Sequence, residues 1–321
     1  MSAPVTMLTR AEAYLAERRQ LGFALDRSGS LTLAFARFTD ASGHEGPLTS
    51  FAVLRWAKEQ ALNAYPFTWA QRVNVLRPFA RHLADMEPET TFPNGAPFGR
   101  AKRRIAPHIF TSDEVKAIIA AARAVPPVFG AGPATLPSLL GLLAATGLRI
   151  SEALRLRCGD LGEDVTIVRV RHSKFDRTRI VPLHPTTTAA LRRYMRKRAR
   201  LGPADHSAAL FLDERSGEAL GYGAVRRAWL RLTEDLGIEP RGGHRFVRIH
   251  DLRHTFICRR LMLWQAEGTD VGNAMLALAT YVGHVNLGDT YWYMQAVPEL
   301  MALAGHRFEA LASHLGEAHH D

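Results

Sequence analysis

The amino-acid sequence reads as a mainly α-helical protein of two domains, with a small β-sheet in the second. Three patterns point that way. The first third carries apolar residues at helical spacing in four stretches, Leu8 to Leu21, Leu31 to Phe38, Phe51 to Leu62 and Trp69 to Leu83. Between Glu87 and His108 the periodicity stops, and Pro88, Pro93, Gly95, Pro97, Gly99 and Pro107 accumulate. Helical patterns then resume, broken once by a β-branched run. At 321 residues the chain is long enough for two cores, since a domain commonly takes roughly 100 to 200 residues. The boundaries that follow are a helical domain over 1–87, a Pro/Gly linker over 88–107 and a second domain over 108–321.

In the first domain, Pro78 falls inside the fourth helical pattern, where it removes a backbone donor and predicts a kink or a break. After the linker, Thr111-Ser112-Asp113-Glu114 has the form of a capping box ahead of Val115, Ile118, Ile119 and Ala122, so a helix starts there. Leu139 to Leu156 reads as a helical segment that pivots at Thr146-Gly147. Val165 to Val170 has the composition of a strand, and the polar turn His172 to Arg177 separates it from Arg179 to Leu183. Pro182 puts the end or edge of the second strand at that point. Helical patterns fill the remainder, with Glu267 to Asp270 as an enlarged turn between two of them.

Composition excludes several classes. Apolar residues make up 47% and charged residues 22%, values of a folded chain rather than a disordered tail or a collagen-like repeat. Two cysteines, Cys158 and Cys258, cannot build a disulfide framework, and a reducing compartment is the simplest reading. Leu136 to Leu148 is too short and too interrupted to span a bilayer, so the expected location is cytoplasmic, with no membrane partner. The charge is informative in the other direction. The formal net charge is +10, and residues 1–99 hold 10 basic and 9 acidic side chains against 31 and 22 in residues 100–321. Polyanions are the natural partners of such a chain. Arg100, Lys102, Arg103 and Arg104 form one cluster within the linker. A second runs from Arg192 to Arg200, where a solvated helix face is an equal reading.

Four separated segments hold the polar residues that stand out: Thr146-Gly147-Leu148-Arg149-Ile150-Ser151-Glu152, the hairpin tip with Lys174, His250-Asp251-Leu252-Arg253-His254, and Gly283-His284 through Tyr293. Singly each has an ordinary structural explanation. Arg149 can pair with Glu152 at i+3, Lys174 can be a solvated turn residue, His284 can cap a helix, and Tyr291, Trp292 and Tyr293 can be core aromatics. Their order and spacing together resemble the tyrosine site-specific recombinase family, also called the phage integrase family. That family shows an Arg in T-G-x-R-x-x-E, a Lys on a β-hairpin, H-x-x-R, G-H, and a nucleophilic Tyr nine residues after the last His. These fall on Arg149, Lys174, His250 with Arg253, His284 and Tyr293.

The resemblance implies a helical core-binding domain and a mixed α/β catalytic domain that grip duplex DNA as a C-shaped clamp, joined by the basic linker. It implies strand cutting and rejoining through a 3′-phosphotyrosine, for integration, excision or resolution of DNA elements. Tyr293 would be the nucleophile, and Arg149 and Arg253 would clamp the phosphate. His250 would help deprotonate the tyrosine or hold the phosphate, His284 would donate to it, and Lys174 would protonate the leaving 5′-oxygen. The implied partners are double-stranded DNA with recombination sites and a tetramer of this chain on DNA, or companion recombinases. No metal, nucleotide or other cofactor is implied. Arg100, Lys102, Arg103 and Arg104 become the expected phosphate contacts of the linker. The tail from Glu299 to His314, with Leu300, Leu303, Phe308 and Leu311 at helical spacing, would dock on the next protomer as the family's tail does, with a helix packed on its own domain as the other reading.

The chain departs from the family pattern in its longer stretch between Arg253 and His284 and in the aromatic Thr290-Tyr291-Trp292-Tyr293 segment, which resembles recombinases carried by mobile elements. Tyr291 is a rival nucleophile, but two residues on a helix are about 200° apart, so both cannot reach one phosphate. Two other classes compete. His250 and His254 at i and i+4 fit a zinc-binding helix, although Asp251 is a short carboxylate for the base of such a site. A catalytically silent DNA-binding protein would keep the basic residues but has no use for Tyr293. Type IB topoisomerases and telomere resolvases share the tyrosine chemistry.

Overall fold

The computed structural model describes residues 6–61, 65–101, 105–127, 130–171 and 178–296. Contacts divide the chain into two units, 1–104 and 105–321. In the first, the described residues form helices α1 (Met7–Gln20), α2 (Asp26–Ala41), α3 (Ser50–Glu59) and α4 (Pro66–Met86). Thr6 and Thr49 cap α1 and α3 by accepting from the backbone N–H groups of Thr9 and Ala52. The helices share one core of Leu15, Phe35, Trp56, Leu76, Phe79 and Leu83, with Phe35 edge-on to Trp56 at 5.5 Å. Pro78 lies within α4, which runs unbroken past it. Leu76, Phe79, Ala80 and Leu83 are all buried on either side of the proline, and that packing outweighs an interior cost of roughly 3 kcal/mol.

The second unit contains α5 (Ser112–Ala121), α6 (Thr135–Thr146), α7 (Ile150–Leu154), strands β1 (Ile167–Val170) and β2 (Arg179–Pro182), α8 (Pro185–Arg198), α9 (Tyr222–Asp235), α10 (Asp251–Ala266), α11 (Val271–Val282) and α12 (Gly288–Ala296). The capping box at α5 is formed: the Thr111 hydroxyl accepts from Glu114 N–H at 3.1 Å, and Glu114 accepts from Thr111 N–H at 2.7 Å. The strands pair antiparallel, Ile167 opposite Pro182 and Val170 opposite Arg179. β1 begins two residues later than β-branched composition suggests. Asp164 Oδ1 accepts from Thr166 N–H at 3.1 Å and from its hydroxyl at 2.7 Å, a local turn that holds Val165 at φ +56° and keeps both residues out of the strand.

One core surrounds α6, with Leu139, Leu140, Leu143, Val168, Val181, Leu191 and Trp229 buried in it. A smaller one joins α10, α11 and α12 through Ile257, Leu261, Met275, Leu278, Val282 and Tyr293. The basic run on α8 is not one solvated face. Arg198 is fully buried and donates to the carbonyls of Ala209, Leu210 and Pro203, and Arg192 donates to Asp164 O. Arg193, Arg196, Lys197 and Arg200 are exposed.

Gly147 ends α6 in the left-handed conformation at φ +64°, and a Cβ there would lie 2.6 Å from Phe256 Cδ1 on α10. This turn lets Leu148 reach the core and delivers Arg149 to the site. Gly147→Ala is expected to lower unfolding stability by about 1–3 kcal/mol, from left-handed strain and the displaced Phe256 ring. Chemical denaturation of the whole chain measures this, and an unchanged midpoint would show that neither constraint acts.

Candidate active site

The site is organised around a buried carboxylate. Arg149 is the residue before α7, and its backbone N–H donates to Glu152 Oε2 at 2.9 Å while its Nη1 donates to Oε1 at 3.0 Å. Glu152 also accepts a bidentate pair from Arg179 on β2, at 3.0 and 2.9 Å. Its side chain is only 2% exposed. Burial by itself would raise the Glu152 pKa, but the hydrogen bonds and charge of Arg179, with the bonds from Arg149, outweigh it and hold the value to about 2. The two arginines continue towards the segment before α12: Arg149 Nη2 donates to Gly283 O at 3.1 Å, and Arg179 Nε donates to Tyr281 O at 2.9 Å. Three separated stretches of chain thus converge through one ion cluster.

Arg253 projects from the first turn of α10 and is 2% exposed. Its Nη1 donates to Gly147 O at 2.7 Å, whereas its buried Nη2 has no hydrogen-bond partner among the described residues. Burial, then the charge of Arg149, pulls its pKa down to about 10, so it remains a cation. An unpaired buried guanidinium nitrogen costs stability, and an anion placed there would recover it.

Three imidazoles surround these cations. His284 follows Gly283, which ends α11 in the left-handed conformation, and its Nδ1 lies 2.7 Å from the Thr290 hydroxyl. With that hydroxyl as donor, Nε2 of His284 carries the proton and can donate outward. Burial, then Arg253 and Arg149, presses the His284 pKa to about 3. His250, at the start of α10, keeps an exposed edge although its ring is hemmed in; desolvation, then Arg253 and Arg248, holds it to about 4. His254 stands edge-on to His250 with ring centroids 4.7 Å apart, and desolvation followed by His250 lowers it to about 2. All three are therefore neutral at pH 7.

Tyr293 lies on α12 and is 3% exposed, whereas Tyr291 on the same helix is 44% exposed. The Tyr293 hydroxyl is 2.7 Å from His254 Nδ1, and its ring runs nearly parallel to that of His284 at 6.3 Å. Burial raises its pKa, and Arg253 opposes that shift. The arrangement offers two cations, neutral imidazole donors and one phenol to a single small anion.

The structure therefore gathers Arg149, His250, Arg253, His284 and Tyr293 in one catalytic-type cluster within the second unit. Lys174, at the hairpin tip, lies outside the described residues, as do Lys102, Arg103, Arg104 and the tail from Glu299 to His314. Arg100 is exposed in an irregular segment of the first unit. Asp251 does not lie open between His250 and His254: it is fully buried and pairs with Arg248 at 2.6 Å. Two participants escape a reading of the sequence. Arg179 shares a strand face with buried Val181, and that inward parity was its available signal. His254 is visible in sequence only as the second member of a histidine pair.

Comparison with known proteins gives a consistent result. The sequence profile of the phage integrase family matches residues 108–299. A putative integrase/recombinase, y4rB, of Sinorhizobium fredii is 31% identical over 95% of this chain and 97% of its own length. Tyrosine recombinase XerD of Caulobacter vibrioides is 28% identical over 83% of each chain. Among solved structures, the fold is similar to that of the Tn1549 transposon integrase in complex with transposon right end DNA, with a TM-score of 0.64 and 17% identity over 94% of this chain and 99% of that one. It is also similar to XerH site-specific recombinase bound to difH substrate in a post-cleavage complex, with a TM-score of 0.62 and 15% identity over 88% and 79%.

The Glu152 cluster carries a pH prediction. Because its folded pKa, about 2, lies below the ordinary value of 4.5, its stabilisation is full above 4.5 and is lost as pH falls towards 2. Unfolding free energy should therefore drop through that window in the wild-type chain. Glu152→Gln should be less stable at pH 7 and flatter below pH 4.5, as measured by denaturant titration at several pH values.

Proposed function

The chain belongs to the phage integrase family, and from that premise we propose which of its residues cut and rejoin DNA. Its activity is site-specific DNA recombination of the tyrosine type, and the family's covalent phosphotyrosine intermediate follows. The observation that carries the assignment is the buried Tyr293 hydroxyl in one cluster with Arg149 and Arg253, whose Nη2 has no hydrogen-bond partner among the described residues.

Breaking a phosphodiester without losing its bond energy needs a protein nucleophile, and Tyr293 supplies it. Its oxygen attacks the scissile phosphorus, forms the 3′-phosphotyrosine and releases a 5′-hydroxyl. Negative charge grows on the non-bridging oxygens during attack. Arg149 and Arg253 meet it with planar guanidinium donors already held in place by Glu152 and Gly147, so little reorganisation is needed. His284 donates through Nε2, and His250 supports the phosphate from the exposed side. Lys174 protonates the leaving 5′-oxygen. Rejoining reverses each transfer. The exposure of Tyr291 leaves it outside the phosphate cluster.

The partner is double-stranded DNA carrying recombination sites. XerH and the Tn1549 integrase were each solved with DNA, and the positive charge of this chain suits the same ligand. The helical segment 1–87 acts as the core-binding domain and the catalytic domain spans 108–321, joined by the basic linker. Each chain offers one Tyr293, whereas exchange of two duplexes cuts four strands, so the working assembly is a tetramer on DNA, built from this chain or completed by companion recombinases.

Cleavage of nicked duplexes drawn from the DNA beside the gene tests this reading. Arg149→Ala or Arg253→Ala should slow cleavage by about 10²-fold or more while leaving most of the DNA affinity. Equal loss of binding and cleavage would place these residues in recognition instead. Neutralising Arg100, Lys102, Arg103 and Arg104 together should make the salt dependence of binding shallower by about 3.6 in log–log slope. An unaltered slope would remove the linker from the phosphate contacts.

A further inference from the structure

We propose that His254 accepts the proton of Tyr293 during attack, which leaves His250 to the phosphate. The inference rests on the recombinase reading and deepens it. Among the described residues, the hydrogen-bond partner of the Tyr293 hydroxyl is His254 Nδ1, at 2.7 Å. His250 meets this pair edge-on at the His254 ring and keeps its own outer edge exposed, where a phosphate would approach. The acceptor is also fixed in direction. His254 sits within the first turn of α10, one residue past the buried Arg253, and the Trp292 ring flanks it at 6.2 Å between centroids. The same helical turn therefore carries a phosphate clamp and a proton acceptor side by side.

Burial, and after it His250, Arg248 and Arg253, keeps His254 neutral in the free protein, and with the phenol as donor its Nδ1 is the accepting nitrogen. A bound phosphodiester brings negative charge beside Arg253 and offsets the part of the His254 shift that comes from the arginine. Acceptance of a proton then becomes easier when substrate is seated, which discourages formation of a free phenolate without DNA. The step balances as follows. The Tyr293 O–H bond breaks and its proton moves to His254 Nδ1, while the oxygen pair forms the bond to phosphorus. The bond from phosphorus to the 5′-oxygen breaks, and that oxygen takes a proton from Lys174. On rejoining, the 5′-hydroxyl returns its proton to Lys174, and the imidazolium returns its proton to the tyrosine oxygen as that oxygen leaves phosphorus.

The test uses His254→Asn, since the Asn amide oxygen can still accept a hydrogen bond near the Nδ1 position but cannot take a proton. Adduct formation is followed on nicked duplexes with an ordinary scissile phosphate and with a 5′-bridging sulfur, a leaving group that needs no acid. His254→Asn should be at least tenfold slower than wild type on both duplexes, with DNA affinity and melting temperature retained, while Lys174→Ala should recover only on the sulfur-bridged duplex. An Asn variant within tenfold of wild type on either duplex would overturn the proposal and leave the recombinase reading standing. If the wild-type chain forms no adduct on either duplex, the recombinase reading fails and this role falls with it. In the free protein, Tyr293→Phe should shift the 15N resonance of His254 Nδ1. An unmoved resonance would overturn the contact from which the proposal starts.

Discussion

Two guanidiniums meet on the Glu152 carboxylate, Arg149 from the turn before α7 and Arg179 from β2, 27 residues further along the chain than Glu152. Neither arginine would be well placed without that acceptor, and the carboxylate could not stay ionised at 2% side-chain exposure without the arginines. The cluster also reaches the carbonyls of Tyr281 and Gly283, which lead directly into His284. The hairpin, the α6–α7 turn and the segment before α12 are thereby fixed to one another by charge-assisted bonds.

The same arrangement leaves a deliberate imbalance. Glu152 offsets one of its two arginines, Gly147 O occupies only one side of Arg253, and the histidines are kept neutral by burial and, after it, by the cations around them. Among the described residues the site therefore holds positive charge and a buried donor without a partner, which a phosphate would satisfy. Folding stability is spent on an anion that arrives later, which is a common property of electrostatically preorganised sites. The proposed nucleophile, Tyr293, lies in the adjoining small core, where burial raises its pKa and favours the protonated phenol.

Much of this was legible in the sequence because the relevant residues are tied to local geometry. Gly147 and Gly283 end helices in the left-handed conformation and put Arg149 and His284 immediately after a turn. Tyr291 and Tyr293 differ by two positions on α12, and helical rotation alone sends one outward and the other inward. What the sequence hid depended on contacts between distant segments. Arg179 looks like any strand arginine until Glu152 is seen opposite it. His254 reads as half of a zinc pair until Tyr293 is found on its Nδ1 and Asp251 on Arg248. Pro78 suggests a broken helix because the core that holds α4 together is tertiary. Val165 and Thr166 suggest strand residues because the Asp164 side chain that captures the turn is not a matter of composition.

In the proposed reaction Tyr293 becomes covalently attached to DNA without help from a metal ion. The most direct test is to incubate the chain with nicked duplexes from the DNA flanking its gene in EDTA, then digest the trapped complex and identify the modified peptide by mass. A nucleotide adduct is expected on Tyr293 and none on Tyr291. An adduct on any other residue, or one that forms only when divalent metal is restored, would contradict that reaction.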